Sequence, residues 1–310
     1  MPRFLEKISA AELQSLSLMQ TAFFFPVGPL EDHGPHLPLG LDGAEAEAVC
    51  WALAEKLELD QKNWVGVIMP RMPLGIESNT TSCAITVRGY VLRDWLVDSC
   101  TALFHLGFRY FICLSGHPGP RQLTAIEEAS KILDRKAGGI WPLRLLKGRH
   151  NLPVLVSASS ALPKTPGIAP TLLWPDPKEH GGKRDTSVAL HLMADQVGSI
   201  YQTLPRHDRA DTSLERLIKR WKKQTSGYWG TPNEARPEVG EKILKDQVDT
   251  LYPKMRAVLE GASPQNHFRS WYSIIPLNRT FFKAWILAFC ILFLMLLWML
   301  VILYPMVSEI

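Results

Sequence analysis

Apolar and polar positions alternate in blocks along the chain, and the blocks change period. Thr21–Val27 and Trp64–Met69 are apolar runs, Phe108–Leu114 is another interrupted by Arg109, and each stops at Gly, Pro or Ser. Short apolar runs bounded by turn residues predict buried strands. A short strand over Cys83–Val87 and another at Val154–Ser157 are also expected. Between them lie helical patterns: Ala10–Met19, Ala44–Leu57, Val91–Leu106 before Gly107, Leu123–Lys136 and Thr186–Val197. The alternation predicts an α/β protein with a mostly parallel sheet and helices on both faces.

A second pattern occupies the C-terminus. Ala284–Tyr304 is AWILAFCILFLMLLWMLVILY, 21 residues without a charge. At ~1.5 Å per residue such a helix spans about 30 Å, the thickness of a bilayer core. Core helices seldom stay apolar on every face for that length, and Trp285 and Tyr304 bracket the segment like interfacial aromatics. The expected organisation is a large N-terminal α/β domain over 1–261, a juxtamembrane connector over 262–283, a transmembrane helix over 284–304 and a short tail over 305–310. Arg269, Arg279 and Lys283 precede the segment and only Glu309 follows it. The positive-inside rule then predicts a single-pass membrane protein with its N-terminal domain cytoplasmic. Met1–Lys7 carries charges where a secretory signal needs an apolar run.

Composition changes this picture little. A net charge of +4 and 21% charged residues give no nucleic-acid-binding bias. The basic patch Lys219, Arg220, Lys222 and Lys223 reads as a solvated helix face. The five cysteines are odd in number and contain no Cys-x-x-Cys pair, and four lie in apolar segments like buried thiols.

Candidate chemistry concentrates where strands end. After Thr21–Val27 comes a Gly/Pro-rich loop with Glu31, His33, His36 and Asp42. Ligand sites in open α/β sheets lie beyond strand carboxyl ends. Glu31 and His33 are two apart and share one side of an extended segment, and a Pro/Gly turn can fold Asp42 back toward them. Carboxylate and imidazole together suit Zn, Mn or Fe. Phe108–Leu114 likewise runs into His117, and Asp185 opens a helical run as Asp-Thr-Ser, a capping signal.

The string Pro26-x-Gly28-x-x-Glu31-x-His33-Gly34-x-His36-Leu37-Pro38-x-x-x-Asp42 resembles the signature of the creatininase family of metal-dependent amidohydrolases. The resemblance implies a three-layer α/β/α sandwich, with Glu31 and His33 as metal ligands and Asp42 bridging two ions; His36 belongs to the pattern without a metal role. It extends to Gly116, His117 and Gly119, where His117 would ligate metal. Ser115, Pro118 and Pro120 stand where the family commonly has Asn, Gly and Asn. Creatininases proper place a carboxylate ligand two residues after this histidine, a position held here by Gly119, which counts against creatinine as substrate.

The segment His180-Gly-Gly-Lys-Arg-Asp185-Thr-Ser is similar to the family's His-Ala-Gly-Glu-x-Glu-Thr-Ser, implying His180 as proton donor and Asp185, one methylene shorter than glutamate, as a ligand. Lys183 reverses a charge: it either favours an anionic substrate or faces solvent. Ser226–Ala235 resembles the family's Gly-x-x-Gly-x-Pro segment, while Gly75–Val87 diverges where the family carries a His and a Phe-Pro-Gly-Thr. The expected activity is hydrolysis of a non-peptide or small-peptide amide with one or two divalent transition metals (Zn, Mn or Fe), in a membrane-tethered homo-oligomer acting on a small-molecule amide. The alternative is a non-catalytic, membrane-anchored protein that keeps the fold to bind a ligand or partner.

Overall fold

Seven consecutive residues, Thr21–Val27, are buried in the computed structural model, which describes residues 1–76, 83–138, 154–159, 179–208, 226–262 and 287–299. A strand buried at every position must be covered on both faces. Alternate residues do this here: Ala22 and Phe24 pack into one cluster with Val49, Leu53, Ile112, Leu114, Leu251 and Met255. Phe23 and Phe25 face the other way, against Phe108, Phe111 and Trp95.

The sheet has five described strands in the order β1-β3-β2-β4-β5, all parallel: β1 Arg3–Phe4, β2 Thr21–Val27, β3 Val65–Ile68, β4 Tyr110–Ser115 and β5 Val154–Ser159. The helices are α1 Ala10–Ser15, α2 Leu41–Asp60, α3 Gly89–His105, α4 Pro120–Gly138, α5 Lys183–Met193 and α6 Pro237–Leu259. Helices α2 and α6 cover one face through the Val49–Met255 cluster, and α3 lays Trp95 on Phe25 across the other. The chain goes from β2 outward to β3, then crosses back to β4 on β2's other side. This reversal is the switch point at which ligand crevices form in such sheets.

Several expected boundaries move. Helix α2 starts at Leu41, so Asp42 sits in its first turn rather than in the preceding loop. That position is favoured because a carboxylate there meets the unsatisfied N–H groups of the helix end. The segment expected as a strand at Cys83–Val87 makes only one bridge, Ile85 to Leu30. Absent from the reading of the pattern are helix α6, the two-residue edge strand β1 and the 3₁₀ turns at Leu5–Lys7, Ser199–Thr203 and Pro232–Glu234. Cys50, Cys100 and Cys113 are buried free thiols, whereas Cys290 is exposed.

The chain divides into two units, Met1–Ser273 and Ile274–Ile310. In the second, residues 287–299 are helical with exposed apolar side chains. Among the described residues, no helix is long and apolar enough to cross a membrane. The remainder of the 284–304 segment, the connector beyond Ala262, the 305–310 tail, the patch at Lys219–Lys223 and residues 77–82 of the divergent middle segment lie outside the described residues.

Candidate metal centre

The loops after β2 and β4, the first turn of α2 and the first turn of α5 converge on one buried cluster. Glu31, Asp42 and His117 each bring a potential ligand atom within 4.8 Å of the others, and His33, His180 and Asp185 form a second such trio. All six are buried. All six residues expected at the site from the sequence are therefore brought together.

Asp42 lies between the trios. Its Oδ1 is 3.2 Å from His33 Nε2 and its Oδ2 is 3.4 Å from His117 Nδ1. His117 Nδ1 also lies 2.9 Å from Glu31 Oε2. His33 Nδ1 is 3.0 Å from the Glu31 carbonyl oxygen. A carbonyl only accepts, so Nδ1 carries the hydrogen and Nε2 is turned to the cluster.

Local sequence explains this placement. Gly116 allows the β4 loop to pass against α2, because a Cβ there would lie 1.9 Å from the Asp42 carbonyl oxygen. The Ser115 hydroxyl donates to the His117 carbonyl at 2.8 Å and accepts the His117 N–H at 3.2 Å, closing the turn that presents the imidazole. Pro120 starts α4, where its missing N–H costs nothing. Gly119, just before it, adds no side chain to the cluster. Gly116→Ala is expected to push the β4 loop off Asp42. Overpacking of this kind costs about 1–3 kcal/mol, and a lowered unfolding midpoint together with reduced metal content would register it.

Asp185 is not the helix cap. Gly182 holds the cap position of α5, and Asp185 lies in its first turn. Its Oδ2 accepts the Gly181 N–H at 2.7 Å and its Oδ1 accepts from Arg184 Nη1 at 2.8 Å. Lys183 pairs with Glu234 at 3.3 Å, which favours the solvent-facing reading over a substrate contact. His36 is outside both trios: its Nε2 is 2.8 Å from Thr186 Oγ1, which ties the β2 loop to α5.

His180 is stacked between His33 and Trp229, with ring centroids 4.4 and 4.6 Å away. Its Nε2 lies 2.9 Å from the Asp32 carbonyl oxygen, so that nitrogen carries a hydrogen, and it stands 3.9 Å from Glu31 Oε1. Backbone hydrogen bonds in both directions join His180 to Trp229. The Ser226–Ala235 segment therefore seats an indole on the back of this imidazole. Sequence reasoning also missed Glu45 and Arg184, buried and paired behind Asp185. Glu45 follows Asp42 by three residues on α2, the same-face spacing that was the available signal.

The electrostatics show what the cluster requires. Burial alone would lower the proton affinity of His33, but Asp42, Asp185 and Glu31 outweigh it and hold its pKa at about 10. His117 is likewise opposed by burial and raised to about 10 by Asp42 and Glu31. Asp42 itself is held below the usual carboxylate range: burial works against this, and the two imidazoles overcome it. His180 differs, because burial and then His33 push it down. Carboxylates massed in a buried site thus demand positive charge, from protons or from a divalent cation. The donor set, carboxylate oxygen and imidazole nitrogen, fits Zn, Mn or Fe.

Residues 6–254 match the family model described as creatinine amidohydrolase, so the chain belongs to the creatininase family. Solved structures share its fold. A creatininase described in its manganese form is 22% identical, with a TM-score of 0.60, over 84% of this chain and 99% of that one. A putative creatinine amidohydrolase from Bacteroides fragilis is 20% identical, with a TM-score of 0.60, over 84% and 97%. A mutant creatininase of the Zn-Zn type is 22% identical, with a TM-score of 0.58, over 83% and 98%. No curated protein matches the chain by sequence. Creatininase family members are metal-dependent amidohydrolases, and this chain falls in that class of enzyme.

Proposed function

We propose that the protein hydrolyses the C–N bond of a small-molecule or small-peptide amide at a two-ion centre. Asp42 would be the ligand common to both ions, with Glu31 and His117 holding one and His33 and Asp185 the other. The observation that carries this reading is Asp42, whose two oxygens face histidines of different trios at 3.2 and 3.4 Å. When bound, a divalent pair supplies an activated water and polarises the amide carbonyl. The chain's own part is to hold Glu31, His33 and Asp42 rigidly, to exclude bulk water by burial, and to deliver a proton. His180 is the proton carrier: with Nε2–H held by the Asp32 carbonyl, its Nδ1 would take up the proton released by the attacking water and deliver it to the departing nitrogen. Gly119, where creatininases proper place a carboxylate ligand, argues against creatinine itself. Elemental analysis should find Zn, Mn or Fe in the purified protein, and the metal-loaded form should cleave one member of a broad amide panel. Metal-replete protein inert toward every amide would transfer support to a non-catalytic, ligand-binding role, which the missing side chain at Gly119 favours.

The same reading tethers the enzyme to a membrane from its cytoplasmic side, as a homo-oligomer whose several anchors would prevent release. Its support is the uncharged 284–304 segment, the preceding Arg269, Arg279 and Lys283, and the wholly apolar exposed surface of 287–299. Deleting Phe281–Ile310 should convert a membrane-pelleting protein into a soluble one with unchanged metal content. Full-length protein recovered in the detergent-free supernatant would refute the anchor.

A further inference from the structure

Behind the second trio lies a charged network that the reaction as described does not use. Arg184 is 3% exposed and its guanidinium binds both oxygens of Glu45, Nη1 to Oε2 at 3.0 Å and Nη2 to Oε1. Nη1 also donates to Asp185 Oδ1 at 2.8 Å. Gln247, on α6, donates to Glu45 Oε1 at 2.6 Å. Helix α6 is thereby linked through α2 to the first turn of α5. Burial lowers the proton affinity of a guanidinium, but Glu45 and Asp185 raise that of Arg184 further, so the group is a permanent cation.

A buried ion pair is by itself weak evidence for stability, because apolar replacements of similar volume often do as well. The geometry here does something an apolar pair cannot. Asp185 is shorter by one methylene than the glutamate of the family pattern, and a short carboxylate has few ways to reach an ion. Both of its oxygens are gripped from behind, by Arg184 Nη1 and by the Gly181 N–H. Each oxygen keeps lone-pair capacity for a cation. Gly181 is fixed in turn: its φ is +60°, and a Cβ would lie 2.2 Å from the His33 carbonyl oxygen. The grip on Asp185 is therefore referenced to the β2 loop that carries His33.

We propose that Arg184 is a positioning residue: its guanidinium fixes the Asp185 carboxylate as a ligand of the subsite shared with His33, and Glu45 and Gln247 hold the guanidinium in place. This rests on Asp185 being a ligand. Outer partners of metal ligands typically change affinity about 10- to 100-fold when removed. A lysine at 184 keeps the charge but has no fork, so it cannot serve Glu45 and Asp185 together.

The test is a titration of the full-length protein with Co²⁺, followed by visible absorption and calorimetry. Wild type should show two binding events. R184K should weaken the second about 10-fold or more while leaving the first unchanged. The double substitution R184M/E45M removes the Arg184–Glu45 pair together, leaves the Gly181 N–H on Asp185, and should likewise weaken the second event alone. Two unchanged events in both variants would overturn the inference alone, as would equal weakening of both events. A wild type that takes up no metal would overturn it together with the metal-centre reading. The selective loss of one spectroscopic component is what a merely structural role for Arg184 does not produce.

Discussion

Asp42→Ala is expected to strip metal from both subsites and to reduce amide turnover to background. The loss should exceed the roughly 10²–10³-fold that removal of one stabilising electrostatic group costs in other enzymes. The reason is position: one carboxylate oxygen faces His33 and the other His117. Metal content by elemental analysis is the primary readout, because it is independent of the substrate. Equal metal in wild type and Asp42→Ala would remove the bridging role.

The same residue governs a pH effect in the metal-free protein. His33 and His117 have folded-state pKa values near 10, above the ordinary 6.5. Groups raised in this way add stability that is complete below about pH 6.5 and is lost as pH rises through about 10. Asp42 is depressed, so its contribution is present above the ordinary carboxylate range and is lost as pH falls. Metal-free protein should therefore unfold at progressively lower temperature as pH rises from about 7 to 10. Metal-loaded protein should not follow it, because the ion replaces the protons, and metal affinity should rise with pH. Parallel thermal melts of the two forms would decide the matter; coincident pH dependence counts against a shared proton and metal site.

Much of this was legible in the sequence because it was local. Thr21–Val27 reads as a strand covered on both faces, and it is one. Glu31, His33 and Asp42 fall within a dozen residues, and His117 directly follows a strand. The placement of Asp42 was less legible. An acidic residue between a Pro/Gly turn and an Ala-rich run looks like loop, yet the helix begins before it. Cys83–Val87 has strand composition but finds only Leu30 as a bridge partner, so its composition did not determine its pairing. The network behind Asp185 is the clearest case of what sequence conceals. Arg184 meets Glu45 across 139 positions, and Gln247 meets Glu45 across 202. No local period marks such pairs, and an arginine beside an aspartate near a helix start reads as ordinary surface. The Ser226–Ala235 segment was recognisable as a pattern, but its purpose, Trp229 stacked on His180, exists only in the folded chain.

His180→Ala carries the other large effect. General acid–base groups contribute about 10²–10⁴-fold, and a loss of that size in turnover is expected with metal content nearly unchanged. The hydrogen at Nε2 leaves Nδ1 as the nitrogen able to take up and deliver a proton. Nε2 lies 2.9 Å from a carbonyl oxygen, which only accepts, and the ring's pKa is pushed down by burial and by His33. The imidazole is thus neutral near pH 7, carries its hydrogen on the nitrogen nearer Glu31, and is held flat by His33 and Trp229. The same hydrogen bond leaves Nδ1 its lone pair, as the carbonyl contact of His33 leaves Nε2, and that lone pair serves a proton carrier or a metal ligand alike. Both roles predict an inactive alanine variant, so activity alone does not separate them, and the metal measurement does. Trp229→Leu supplies a second view: removing the indole frees the ring without touching any ligand, and turnover should fall while metal stays bound. Should His180→Ala lose one ion per chain while Trp229→Leu keeps both, His180 would be a ligand of the His33 and Asp185 subsite, and the proton would have to come from elsewhere.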